Sequence, residues 1–134
     1  MTFHLSLITP EKVIFYDEVL EATIPTVTGL LTILPNHASL FTQVSSGEIV
    51  LKTNDGEQIL VVEGGFLDIS AKSTTILADY AVHGKDIALL KAEEAKKQAE
   101  MRMKENKSQK DFAIAEGELR RSLLELKVAR KYKR

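Results

Sequence analysis

In a chain of 134 residues without cysteine, chemistry has to come from histidine, serine, carboxylates or cations. The three histidines, His4, His37 and His83, stand far apart and lack the H-E-x-x-H spacing that sets two imidazoles on one helix face. Ser39 and Ser45 lie in no G-x-S-x-G elbow, and there is no Walker loop and no G-x-G-x-x-G. The acidic neighbours Asp17/Glu18 and Glu93/Glu94 suggest acid–base couples at first sight. Adjacent residues on a helix do not face each other, so Glu93/Glu94 reads as a solvated face. No catalytic constellation supports an enzyme. The lack of cysteine excludes a disulfide framework, thiol catalysis and cysteine metal sites.

The cations do form a pattern. Arg120, Arg121, Lys127, Arg130, Lys131, Lys133 and Arg134 crowd the end of the chain, with only Glu125 opposing them. One reading is a solvated helix face whose cations complement the C-terminal end of the helix dipole. It accounts for Lys127 onward and leaves the Arg120-Arg121 pair incidental. The other is an arm attracted to an acidic partner surface. Tyr132 is the only aromatic residue among these charges, so no stacking platform for nucleic acid accompanies them.

The elements that must position these groups change character at His83. Residues 1–83 carry 3 Lys+Arg against 10 Asp+Glu, and residues 84–134 carry 15 against 9. The division predicts two domains, 1–83 and 84–134, an acidic β module bearing a basic helical tail. Phe3, Leu5 and Leu7 alternate with polar residues in a strand that ends at Thr9-Pro10. Further strands are expected at Val13–Phe15, Val19–Thr26, Leu30–Leu34, Phe66–Ser70 and Thr74–Ala78, with Pro25 at an edge or strand end. Glu48–Thr53 and Glu57–Val62 form a hairpin around Asn54-Asp55-Gly56, whose Asn and Gly tolerate positive φ. Gly64-Gly65 breaks the chain before Phe66. Many short strands with frequent turns indicate a β-sandwich or barrel.

In the tail, Asp86 is the expected N-cap of a helix running from Ile87 to about Lys104, with a stripe of Ala88, Ala92, Ala95, Ala99 and Met103. Asn106 and Ser108 interrupt it, and Ser108 with Asp111 makes a capping-box pattern. Phe112, Ala115, Leu119, Leu123 and Leu126 form a second stripe. The two helices should pair as an antiparallel hairpin, the Ala face receiving the Leu face. An Ala stripe buries little area, so the hairpin is expected to open at modest cost. No apolar run approaches the roughly 20 residues of a membrane span, and no charged segment leads into an apolar signal region.

Two segments carry a family resemblance. Gly29-Leu30-Leu31-Thr32-Ile33-Leu34-Pro35-Asn36-His37-Ala38-Ser39-Leu40 and Gly64-Gly65-Phe66-Leu67-Asp68-Ile69 resemble signature stretches of the epsilon subunit of F-type ATP synthases. Their order, after the opening strand and before Asp86-Ile87, matches as well. The resemblance implies an α+β fold, an N-terminal β-sandwich of about ten strands followed by a C-terminal antiparallel helical hairpin. It implies a non-catalytic rotor subunit, its sandwich packed on the gamma subunit and seated on the ring of c subunits, coupling proton or sodium flow to ATP synthesis. The hairpin would extend toward the beta (and alpha) subunits and inhibit ATP hydrolysis. By position, Leu30, Leu31, Thr32 and His37 correspond to the c-ring contact, and Arg120, Arg121, Lys127 and Arg130 to the inhibitory arm.

There are departures from the family pattern. Leu30 replaces a frequent acidic residue and Thr32 a usual Gly, so Thr32 requires either ordinary negative φ or strain. Some members bind ATP at the start of the first helix. Here Ile87, Lys91, Ala92 and Arg121 match that site, whereas Ala88 stands for its Asp, Lys91 for an Arg and Gln98 for a later Arg. A Lys offers a point charge where Arg offers a fork, so ATP binding is expected to be absent or weak and no cofactor is expected. The implied location is the cytoplasmic face of a bacterial inner membrane, peripheral and held through the complex, or the stromal side of a thylakoid. A free-standing β-sandwich binding module with a helical interaction tail is the alternative. The interruption at Asn106–Ser108 disfavours it, because no sustained heptad remains.

Overall fold

The computed structural model describes the chain except residues 88, 106–108 and 133–134, and leaves the side chains of 89–90, 105, 109–111 and 132 undescribed. The chain divides into two compact units, Met1–His83 and Gly84–Arg134.

The first unit holds eight strands among the described residues: β1 (Phe3–Ile8), β2 (Val13–Val19), β3 (Glu21–Thr26), β4 (Gly29–Ile33), β5 (Leu40–Val44), β6 (Gly47–Thr53), β7 (Gly56–Ile69) and β8 (Ser73–His83). Neighbours run β2-β1-β8-β7-β5-β3-β4, and β6 bridges β3 and β7, so the ladder closes on itself. Closure leaves an inside. Leu5, Ile24, Leu51, Leu60, Leu67 and Ile76 are fully buried there. Burying each such side chain is worth roughly 1.5–3 kcal/mol. The alternation expected of β1 holds: Phe3, Leu5 and Leu7 face the core.

The count of eight, against about ten implied by the resemblance, reflects two long strands of 14 and 11 residues. β7 pairs with β6 through Gly56–Val62 and with β5 through Gly65–Ile69, and so serves two neighbours in turn. The expected break at Gly64-Gly65 is not a break. Both glycines take positive φ, 69° and 132°, inside an unbroken strand. A Cβ on Gly65 would stand 2.1 Å from the Leu77 carbonyl oxygen, so only glycine lets β7 pass β8 this closely.

β5 was not anticipated from the sequence, and β8 runs well beyond Thr74–Ala78. Val19 closes β2, and the expected Val19–Thr26 strand starts afresh at Glu21. Pro25 sits one residue from the end of β3 and pairs with Leu30 of β4. On its other side β6 pairs only as far as Thr23 and β5 begins at Thr26, so the missing N–H falls in the gap between two partners. In the β6–β7 hairpin Gly56 takes φ of 120°, whereas Asn36 is the only non-glycine with positive φ among the described residues.

In the second unit a 3₁₀ turn, Gly84–Asp86, precedes α1 (Leu89–Glu105) and α2 (Gln109–Tyr132). Asp86 therefore lies in the turn and not at the cap of α1. The Ser108–Asp111 capping pattern falls outside the described residues. The seam differs from the expected stripes. Ala92 and Ala99 are buried on α1, and Ala115, Ser122, Leu126 and Ala129 on α2. Ala95, Phe112 and Leu123 are exposed instead. Small residues seven apart on both helices permit close approach; of the larger side chains Leu126 and Val128 are buried beside them, while Phe112 and Leu123 are turned outward.

Candidate functional site

The outer face of the sandwich is unusually apolar. Register places Phe66 of β7 opposite Leu77 of β8, Leu77 beside Ile8 of β1, and Ile8 opposite Val13 of β2. Phe41 of β5 lies diagonally from Phe66, the rings stacked at 5.7 Å and 15°. Phe41, Leu77 and Val13 are more than half exposed and Phe66 nearly so. A row of apolar side chains thus crosses five strands in solvent. Such a continuous patch marks a surface for a partner.

A second apolar point is the β3–β4 turn. Its tip is fastened by Thr26, whose hydroxyl donates to the Gly29 carbonyl at 2.6 Å and accepts from the Thr28 N–H. Across the tip, the Val27 N–H donates to Gln43 O and the Ser45 N–H to Pro25 O. From this fixed tip Leu30 projects, 75% exposed, with Val27 beside the turn at 57%. Strand alternation then separates the expected c-ring residues. Leu31 turns inward and packs partly against the core, while Thr32 turns outward and its hydroxyl meets that of Thr23 at 3.3 Å. Thr32 keeps ordinary negative φ, so replacing Gly there brings no strain. His37 lies past the other end of β4, at least three residues or about 10 Å along the strand from Leu30. It lines a cleft with Phe3, Asn36 and Ser70–Thr74, and its Nδ1 stands 2.7 Å from the Ala38 carbonyl.

The histidines do not converge. His83 Nε2 lies 2.8 Å from the Ile14 carbonyl, and His4 packs edge-on against Tyr16. No cluster able to hold a metal occurs among the described residues. A contact that sequence order hid is Ser6–His4–Glu18. His4 Nε2 is 3.2 Å from the Ser6 hydroxyl and its Nδ1 is 3.4 Å from Glu18. The order imitates a hydrolytic triad. Ser6, however, lies mid-strand in β1 with ladders on both sides, without the sharp turn that presents a nucleophile. The pKa of Lys52 is raised above the ordinary 10.5 by its hydrogen bond and charge attraction to Glu21, at 3.0 Å.

On the hairpin, Arg102 pairs with Glu118, and Arg130 reaches Glu93 at 4.0 Å. These cross-links set Ala92 about level with Ala129, and Ala99 with Ser122. Of the four arm cations, Arg120 and Lys127 share one face by their seven-residue spacing. Arg121 lies about 100° around the helix from Arg120, and Arg130 about 60° from Lys127. All four are exposed. Glu93 is a counter-charge that the linear sequence could not reveal, because it comes from the other helix. The residues matching the ATP motif are spread out. Ile87 precedes α1, Lys91 is exposed, Ala92 is buried in the seam, and Arg121 stands level with about Glu100, on the order of 13 Å along the axis from Lys91. Ala88 lies outside the described residues. No helix among the described residues is long and apolar enough to cross a membrane.

Two family descriptions match the chain: the beta-sandwich domain of the ATP synthase delta/epsilon chain over residues 2–84, and its long alpha-helix domain over 85–130. The ATP synthase epsilon chain of Chloroflexus aggregans is 38% identical over 133 residues, covering 99% of this chain and 96% of the relative. That of Herpetosiphon aurantiacus is 36% identical over 130 residues, covering 97% and 96%. Among solved structures, a chain of the Euglena gracilis mitochondrial ATP synthase in rotational state 1 superposes with a TM-score of 0.77 at 21% identity, over 96% of this chain and 80% of that one. A chain from the central stalk and c-ring of the Tetrahymena thermophila mitochondrial enzyme gives 0.66 at 16%, over 94% and 95%. At these identities the two structures establish the shared fold.

Proposed function

Because the chain belongs to the delta/epsilon chain family of ATP synthases, whose epsilon members are non-catalytic stalk subunits, we propose that it is a rotor connector with a regulatory tail. Residues 1–83 dock on the gamma subunit and the c-ring and so couple ion flow to ATP synthesis. Residues 84–134 restrain ATP hydrolysis by extending toward the beta and alpha subunits.

The apolar row from Phe41 to Val13 is the observation that carries the docking half. A face this apolar requires a permanent cover, and an obligate subunit contact provides one. Leu30, on a tip held by four hydrogen bonds, supplies an apolar contact to the c-ring where relatives often have an acid. Leu31 supports it from the core side and Thr32 extends it along β4, whereas His37, beyond the far end of the strand, would make a separate contact. The regulatory half is supported by the thin small-residue seam and by the cations of α2. A seam that buries so little apolar area opens at low cost, and an opened α2 presents Arg120, Arg121, Lys127 and Arg130 to an acidic surface. The dispersed ATP-motif residues support a hairpin that ATP does not clamp. Membrane association then runs through the complex alone, at the cytoplasmic face in a bacterium or the stromal face in a plastid.

The test is ATP hydrolysis by the purified catalytic head carrying either the full chain or a chain ending at His83. A faster rate with the shorter chain supports the inhibitory arm. Equal rates with both forms bound to gamma would reduce the tail to a structural brace. Failure of both forms to bind gamma would remove the rotor assignment itself and leave a free-standing binding module.

A further inference from the structure

The seam between α1 and α2 is lined mainly by small residues, and the Ser122 hydroxyl buried there does not cross it. The Ser122 hydroxyl donates to the Glu118 carbonyl of its own helix at 3.0 Å. Two ion pairs at separate levels join the helices among the described residues. Arg102 of α1 meets Glu118 of α2 toward the connecting turn, and Glu93 of α1 faces Arg130 of α2 toward the free end. The polarity reverses between them: α1 gives the cation at the turn and the anion at the free end. All four side chains are between 40% and 63% exposed, so both pairs sit in solvent and feel salt. A third pair, Lys96–Glu100 at 3.7 Å, lies within α1 and would survive separation of the helices.

We propose that these two pairs form an electrostatic latch on the folded hairpin, and that Glu93 is an internal decoy. It occupies Arg130 while the hairpin is shut and withholds that cation from acidic surfaces outside the chain. The decoy rests on the reading of α2 as an arm for an acidic partner. The latch does not, and it can be tested on the free full-length chain. The device makes salt act twice and in opposite senses. Added salt weakens the latch and frees the arm, and it also weakens the attraction of the freed arm to its target.

The experiment is amide hydrogen exchange in α1 and α2 of the full chain, with the β-sandwich strands as internal reference. Losing an exposed pair should raise the open population about 1.4- to 5-fold. Glu93→Gln with Glu118→Gln should therefore raise helix exchange about 2- to 25-fold, since the two sites are far enough apart to act independently. The strands should be unchanged. Lys96→Gln is the control and should leave interhelix opening as it was. Exchange of Glu93→Arg with Arg130→Glu should restore protection. Raising salt from about 0.02 to 0.5 M should speed exchange in the wild-type helices and have a smaller effect in the double variant. Unchanged protection in the double variant, or equal salt response in both proteins, would overturn the latch. For the decoy, a poly-glutamate peptide should bind the Glu93→Gln chain several-fold more tightly than the wild type. Equal binding would overturn the decoy and leave the latch standing. A latch seen here alongside equal hydrolysis rates for the full and truncated chains would instead place the fault in the inhibitory reading.

Discussion

Phe41→Ala puts the proposed docking face to a quantitative test. Phe41 is 68% exposed on the outer face of β5. An aromatic side chain presents on the order of 200 Å², so roughly 135 Å² is available to a partner. At about 25 cal/mol per Å² full cover would be worth about 3.4 kcal/mol, and half cover about 1.7 kcal/mol. At 1.4 kcal/mol per tenfold, the Kd for purified gamma subunit should rise between about 15- and 250-fold. The remaining third of the side chain, with the stack on Phe66, costs the free chain about 2 kcal/mol when removed. A domain with about 5–15 kcal/mol of stability remains folded at 25 °C after such a loss. Titration calorimetry gives the Kd, and circular dichroism verifies the fold. A folded variant that binds gamma within about threefold of the wild type would refute the assignment of this face.

Three further outcomes are expected. Gly65→Ala should destabilise the sandwich by more than about 3 kcal/mol, because positive φ and a Leu77 carbonyl that cannot yield act together; Gly56→Ala, with the same sign of φ but open space, should cost only about 1–3 kcal/mol, and thermal unfolding of the two variants compares them. Lys52 has its pKa raised in the folded state, so its stabilising contribution is complete below about pH 10.5 and is lost as pH rises through the higher folded value; Lys52→Met should therefore be less stable than the wild type in urea at neutral pH and equal to it above the folded pKa. Calorimetry with ATP should detect no binding tighter than millimolar, since Lys91 and Arg121 are far apart along the hairpin; a micromolar Kd would overturn that expectation.

Much of the sandwich was legible wherever one face is buried and the other polar. β1 and the β6–β7 hairpin follow from period two and a turn. β5 was not legible because Leu40 and Phe41 are apolar residues turned to solvent, and a strand with apolar side chains on its outer face does not alternate. Gly64-Gly65 misled for a related reason. Glycine signals a turn in isolation, and only the close passage of β8 shows that it is needed within a strand. In the tail, helix and hairpin were evident from composition and spacing. The seam was legible in part: Ala92, Ala99, Ala115 and Leu126 of the expected stripes are buried, whereas Ser122, Val128 and Ala129 were not anticipated. Phe112 and Leu123 were expected inside and stand outside. Asp86 looked like a cap one turn too early, since a 3₁₀ turn intervenes. The c-ring residues were found by position along the chain, but alternation, which turns Leu31 inward, was not weighed. Glu93 as partner of Arg130 needs the pairing of two helices, information that no local window contains.

The seven-residue spacing of the small seam residues has one more consequence. Ala92 and Ala99 on one helix, and Ala115, Ser122 and Ala129 on the other, are teeth of equal pitch. Sliding one helix past the other by seven residues, about 10.5 Å, would bring small residue against small residue again. The small residues by themselves therefore do not distinguish one notch from the next. Charge is not indifferent: the same slide carries Glu93 away from Arg130 and Arg102 away from Glu118. The small residues set the spacing between the helices, and the buried Leu126 and Val128 together with the ion pairs distinguish the notches.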